Sequence, residues 1–155
     1  MSATLLIRNI GHLVTMDASR RVLRDAWLLA KDGFVHSMGT GRAPRVAGAE
    51  AVDAKGGIAT PGMINTHHHM FQNLARAFHP VSSLPLLPWL AGHIPLWRHF
   101  NPDDLHVATQ VACVELMLTG CTLTSDHHYL FPRDGSREIL DAGFHAAAEL
   151  GRSEE

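Results

Sequence analysis

Cysteine is nearly absent from this chain: Cys113 and Cys121 are the only two in 155 residues. They lack the spacing of a disulfide scaffold or of a Cys-x-x-Cys zinc site, so both read as buried thiols. Charge is sparse as well. Charged residues make up 18% of the chain and the formal net charge is -2, which leaves no basic field for nucleic acid. No run approaches the roughly 18 apolar residues of a membrane span. The first residues also lack the cationic stretch and apolar core of an export signal. Neither a membrane nor a nucleic-acid partner is expected, and the cytoplasm is the default location. No internal repeat is visible.

What is present divides near Pro61. Before it, Thr4–Arg8, His12–Met16, Ala26–Ala30 and Phe34–Met38 are short β-prone pieces separated by turn residues. Lys31-Asp32-Gly33 supplies a hairpin turn between the third and fourth pieces, because glycine tolerates the positive φ such turns require. Ala51-Val52-Asp53 and Gly57-Ile58-Ala59 follow a loop and lead toward Pro61.

Beyond Pro61 the pattern changes. The passage from Pro80 to Pro95 carries Leu84, Leu86, Leu87, Trp89, Leu90 and Ile94, too apolar for an ordinary solvent loop, and is expected to be a packed cover. The first secure helix is predicted at Asn101-Pro102-Asp103-Asp104, with asparagine as N-cap, proline at the first helical position and acids at the positive end of the dipole. Leu105, Ala108, Ala112 and Leu116 fall on one face, and Gly120 suits a left-handed C-cap. Thr122 to Asp126 reads as a strand and Glu138 to Leu150 as an alanine-rich helix.

Chemistry concentrates where the short apolar strand at Met63-Ile64 runs into His67-His68-His69. Side chains alternate along an extended strand, so His67 and His69 are expected on one side and His68 on the other. Two converging neutral imidazoles form half of a divalent-metal site. Asp126, His127 and His128 lie at the end of the next expected strand. Parity separates Asp126 and His128 from His127 without saying which set faces inward. Asp126 is a candidate to orient a ligand imidazole through its other nitrogen, with a solvated strand end as the alternative.

The run Ala59 to Gln72, together with Leu87-Pro88-Trp89-Leu90, Leu116 to Thr122 and Thr124-Ser125-Asp126-His127-His128-Tyr129, resembles the amidohydrolase superfamily. Within it the match is to the aminohydrolase branch, whose 8-oxoguanine deaminases it looks most like and whose triazine hydrolases it is similar to. The resemblance implies an α/β fold: a β-sandwich segment over residues 1–60, then the first βα units of a metal-dependent (β/α)8 barrel over residues 61–155. Such a barrel needs ~250 residues, so the expectation is an amino-terminal part whose barrel is incomplete, with a complete small domain as the alternative.

The same resemblance implies His67 and His69 as metal ligands, for zinc or another divalent metal such as iron, and Gln72 and Trp89 as residues contacting the substrate. It implies a small heterocyclic amine as substrate, attacked by hydroxide at an amine-bearing ring carbon with loss of ammonia, and a homo-oligomer for the intact enzyme. In that family two further histidines, an aspartate and a proton-shuttling glutamate come from later strands, and none is identifiable here. The chain alone is therefore expected to be inactive. A non-catalytic metal-binding or interaction fragment, or a triazine or guanine aminohydrolase, are the other readings.

Overall fold

The computed structural model describes residues 4–132 and 138–151, and the chain divides into two compact units, Met1–Pro61 and Gly62–Glu155. Each is mixed or pure β at its centre, and the chain as a whole is α/β.

The first unit is a five-stranded sheet. β1 (Thr4–Val14), β2 (Val22–Lys31) and β3 (Phe34–Thr40) run antiparallel, and β4 (Glu50–Asp53) and β5 (Ile58–Ala59) both pair with β1 in parallel. The two expected pieces Thr4–Arg8 and His12–Met16 are one strand. The intervening Asn9-Ile10-Gly11, which reads as a turn, is a bulge: the register shifts between Ile7 and Ile10, and Asn9 takes φ 53°. Asn9 is held there by donating to Asp53 Oδ2 at 2.8 Å. Gly11 is required beside it, since a Cβ would stand 2.2 Å from the Gly56 carbonyl oxygen. The β2–β3 connection is a two-residue turn in which Asp32 and Gly33 both have positive φ, 51° and 81°, as a type I′ hairpin demands. Ile10, Leu13 and Ala26 form the buried centre of this unit.

The second unit is built on two parallel strands, β6 (Met63–Asn65) and β7 (Cys121–Thr124), joined by a helical crossover. The crossover contains a 3₁₀ turn at Met70–Ala75, a second at His79–Val81, then α1 (Leu86–Trp97) and α2 (Pro102–Leu118). α3 (Glu138–Glu149) follows β7 and packs on α2. The Pro80–Pro95 passage is thus largely helical. Ten of its residues, with Leu96 and Trp97, form α1: Pro88 falls in the first turn, where its missing N–H would have had no partner, while Pro95 lies inside the helix and costs it one backbone bond.

α2 begins as the sequence indicates. The Asn101 side chain accepts from the backbone N–H of Asp103 and Asp104 at 2.8 and 3.2 Å, and Asp104 reaches back to the Asn101 N–H at 3.0 Å, closing a capping box. Gly120, at φ 80°, follows its last turn. Leu105, Ala108, Thr109, Ala112 and Cys113 are its buried face. β7 starts one residue earlier than expected and ends at Thr124, so Asp126 lies past the strand. Phe71, Ala75, Trp97, Leu105 and Ile139 make one core cluster, in which Phe71 and Trp97 meet edge-to-face at 5.1 Å. Met70, Ala112, Cys113 and Ala147 make a second. Cys113 and Cys121 are both buried. Among the described residues no helix is long and apolar enough to cross a membrane.

Candidate metal centre

β6 and β7 are parallel neighbours, so their carboxyl ends open on the same side. β6 stops at Asn65, whose side-chain oxygen accepts from the His67 N–H at 3.0 Å and turns the chain out of the strand. The segment that follows is stitched to the end of β7. Ser125 N donates to Asn65 O at 3.1 Å and His127 N to His68 O at 2.8 Å. The three histidines therefore lie beyond the strand proper, yet keep an alternating disposition, with His68 held at its carbonyl by the His127 N–H.

His67 Nε2 and His69 Nε2 stand 3.0 Å apart. His69 Nδ1 lies 2.7 Å from the His127 carbonyl oxygen. A carbonyl only accepts, so Nδ1 carries the proton and donates, and Nε2 of neutral His69 presents its lone pair toward His67. The His67 ring is stacked on His127, with centroids 4.8 Å apart and planes 29° from parallel. A gap of 3.0 Å between two imidazole nitrogens is what a shared cation, bound at roughly 2.0–2.1 Å to each, can span. The donor chemistry and the fixed tautomer fit a borderline divalent metal. Among the described residues no group of three or more His, Cys, Asp or Glu side chains converges as a metal site.

His68 faces the other way. Burial lowers its pKa from the ordinary value, the Asp126 carboxylate opposing that shift, and its Nδ1 is buried with no hydrogen-bond partner among the described residues. Asp126 does not orient His69: its Oδ1 accepts from the Met70 N–H at 3.0 Å, and its Oδ2 lies 4.0 Å from His128 Nδ1. The orienting partner is the His127 carbonyl. Strand parity thus resolves with His127 beside the His67–His69 pair and Asp126 and His128 on the opposite side. There they line a cavity of about 630 Å³ with Met70, Leu105 and Phe144.

The amidohydrolase family profile matches residues 58–150, more than half of the chain. This chain belongs to the amidohydrolase family. The 8-oxoguanine deaminase of Pseudomonas aeruginosa is 43% identical over 125 residues, which cover 80% of this chain and 28% of that protein. The hydroxydechloroatrazine ethylaminohydrolase of Pseudomonas sp. strain ADP is 34% identical over 158 residues, 96% of this chain and 33% of that one. The solved atrazine chlorohydrolase of Arthrobacter aurescens TC1, complexed with zinc, superposes with a TM-score of 0.86 at 30% identity, covering 96% of this chain and 34% of that one. The chain thus spans about a third of the length of the relatives it matches.

In this amidohydrolase chain the remaining candidate residues group around rings. Gln72, half-buried in the first 3₁₀ turn, donates its side-chain amide N–H to the Tyr129 hydroxyl. The Tyr129 ring stands edge-to-face to His69 at 5.0 Å and to Phe71 at 5.1 Å. Burial pushes the Tyr129 phenol up, the Gln72 contact opposing it. Trp89 lies further off, 4.2 Å from the His93 ring and 5.6 Å from Trp97, which in turn is 6.3 Å from Tyr129. Gln72 is thereby brought next to the histidines, and Trp89 stands two rings away. Arg76 and Glu115 form a bidentate pair at 2.5 and 2.6 Å that ties the 3₁₀ turn to α2. Tyr129 and the His127 carbonyl are the parts sequence reasoning did not assign. Tyr129 carried a usable signal, being the single tyrosine of the chain and two residues past His127. A backbone carbonyl carries none.

Proposed function

We propose that the chain is the amino-terminal part of a metal-dependent aminohydrolase. In this reading residues 1–60 contribute one layer of a β-sandwich and residues 61–155 the first βα units of a (β/α)8 barrel. His67 and His69 hold a divalent metal, zinc or iron. The observation that carries the proposal is the 3.0 Å approach of the two Nε2 atoms at the end of a parallel strand, with the tautomer of His69 fixed by the His127 carbonyl. Active sites of such barrels lie at this end of their strands.

A divalent metal at this position supplies Lewis acidity and acidifies water toward neutral pH. The chain's own residues do the rest of what this part contributes. The His127 carbonyl keeps the His69 proton on Nδ1, so that Nε2 stays a ligand rather than a donor. Gln72 meets the substrate ring from the 3₁₀ turn beside the metal, and Trp89 closes the aromatic side. The substrate is a small heterocycle bearing a ring amine, lost as ammonia. 8-Oxoguanine is the first candidate, given the identity to its deaminase, and triazines and guanine are the others. Catalytic zinc usually has three protein ligands. With two, the chain by itself binds metal weakly and does not turn over.

The test has two arms. The purified chain, supplied with zinc or ferrous iron, is expected to bind one metal and to release no ammonia from 8-oxoguanine. A chimera that continues the chain with the unmatched carboxyl-terminal part of the P. aeruginosa deaminase is expected to release ammonia, and to stop doing so with His67→Ala or His69→Ala. Turnover by the chain alone, or a chimera indifferent to both substitutions, would refute the proposal. A non-catalytic metal-binding fragment remains the second reading, favoured by the absence of a third converging ligand among the described residues.

A further inference from the structure

Tyr129 and Gln72 are joined by a hydrogen bond, the Tyr129 ring stands 5.0 Å from the His69 ring, and neither residue's hydrogen-bonding capacity is exhausted by the contact. A phenol has one donor and an acceptor oxygen, and a primary amide has donors on nitrogen and an acceptor on oxygen. When the amide N–H donates to the phenol oxygen, the phenol O–H and the amide oxygen are left over. When the amide is turned round, the phenol oxygen and the amide NH₂ are left over. Either orientation leaves one donor and one acceptor side by side, so the result does not depend on which way the Gln72 amide is assigned.

The couple is held from behind and open in front. The Tyr129 ring is wedged edge-to-face against both His69 and Phe71, and Phe71 is fully buried, so the phenol is positioned by packing. Tyr129 nevertheless remains 44% exposed. A hydroxyl that is rigidly placed, partly desolvated and adjacent to a metal pair is positioned for a ligand rather than for bulk water.

We infer that Tyr129 and Gln72 act as one recognition unit for a heterocycle edge carrying an adjacent N–H and acceptor, as in a lactam or an amino group beside a ring nitrogen. The inference rests on the metal-centre reading above and adds Tyr129 as a substrate-contacting, specificity-determining residue. It also states the chemistry selected: a ring whose edge offers two acceptors, with every nitrogen alkylated, leaves one member of the couple facing a like group. A site that hydrogen-bonds a ligand discriminates strongly against an analogue that cannot reciprocate.

The single tyrosine makes a clean reporter. The zinc-loaded chain, isotopically labelled at tyrosine, is titrated with 8-oxoguanine and with a fully N-methylated xanthine. The Tyr129 resonance is expected to shift with the former and not with the latter. Dissociation constants are then measured for Tyr129→Phe, Gln72→Met and the double variant. Each single substitution is expected to weaken 8-oxoguanine binding about tenfold, the cost of one hydrogen bond, and the double variant to weaken it no further, because the two residues act together. Zinc affinity, measured on the same samples, is expected to be unchanged. Additive losses, an equal response to both ligands, or no 8-oxoguanine binding by the zinc-loaded chain would overturn the inference. Failure of the wild-type chain to bind zinc would instead overturn the metal-centre reading.

Discussion

Alanine substitution of each member of the histidine run tests the centre directly. His67 and His69 present Nε2 atoms 3.0 Å apart, whereas His68 points to the other side with a buried Nδ1 that has no partner among the described residues. Removing a residue that merely supports a metal ligand costs roughly 10–100-fold in affinity, so removing a ligand itself should cost at least the upper end of that range. A hundredfold loss corresponds to about 2.8 kcal/mol, at 1.4 kcal/mol per tenfold. His68→Ala should change metal affinity by no more than about 0.5 kcal/mol, the scatter of substitutions remote from a feature. The assay is competition for zinc against a chromophoric chelator, which reads affinity and leaves aside any change in folding stability. The reasoning fails if His68→Ala weakens zinc binding as much as either neighbour, or if His67→Ala and His69→Ala leave it intact.

Further expectations concern the scaffold that holds the centre. Trp97 is 2% exposed at the middle of the core, so Trp97→Ala should cost about 3–5 kcal/mol in denaturant unfolding. Trp97→Phe should cost less, because the Trp97 Nε1 is buried without a hydrogen-bond partner among the described residues and its removal relieves that penalty. Asn101→Ala opens the capping box of α2 and should cost about 0.5–2 kcal/mol in the same measurement. The Arg76 hydrogen bond and charge hold the Glu115 carboxyl below its ordinary value of 4.5. A depressed carboxyl contributes stability that is present above the unfolded value and lost as pH falls through the folded one. The unfolding midpoint should therefore decline below about pH 4.5, and Glu115→Gln should flatten that decline.

Local rules made parts of this molecule legible and tertiary context hid others. Asn101, Pro102 and Gly120 bracket α2 because capping is satisfied within a few residues of the helix end, and Asp32-Gly33 marks its hairpin for the same reason. α1 was hidden by its prolines. Their meaning depends on whether they fall in a first turn, a last turn or an interior, and that position is set by the packing of His93 and Trp97. β1 reads as two strands because Asn9 and Gly11 look like turn residues. They serve instead a bulge fixed by Asp53 and by the approach of Gly56, both more than forty positions away. At the centre, residue types and parity pointed to His67 and His69, but the partner that fixes the His69 tautomer is a backbone carbonyl, which no side-chain pattern encodes.

That carbonyl explains why parity survives although the histidines have left the strand. β6 is three residues long and ends at Asn65, so nothing within it can hold His67 and His69 in register. The register comes from the segment that follows β7: the His127 N–H is spent on the His68 carbonyl and the His127 carbonyl on the His69 ring. One residue, three positions beyond the end of β7, thus fastens the His68 backbone and the His69 ring together. The His127 ring adds a third restraint by stacking on His67. The close approach of His67 and His69 is consequently a property of the two segments that leave adjacent parallel strands. A peptide carrying only the His67–His69 run would have the ligands without the geometry, because its chain entropy would be unopposed and the His69 proton free to move to Nε2.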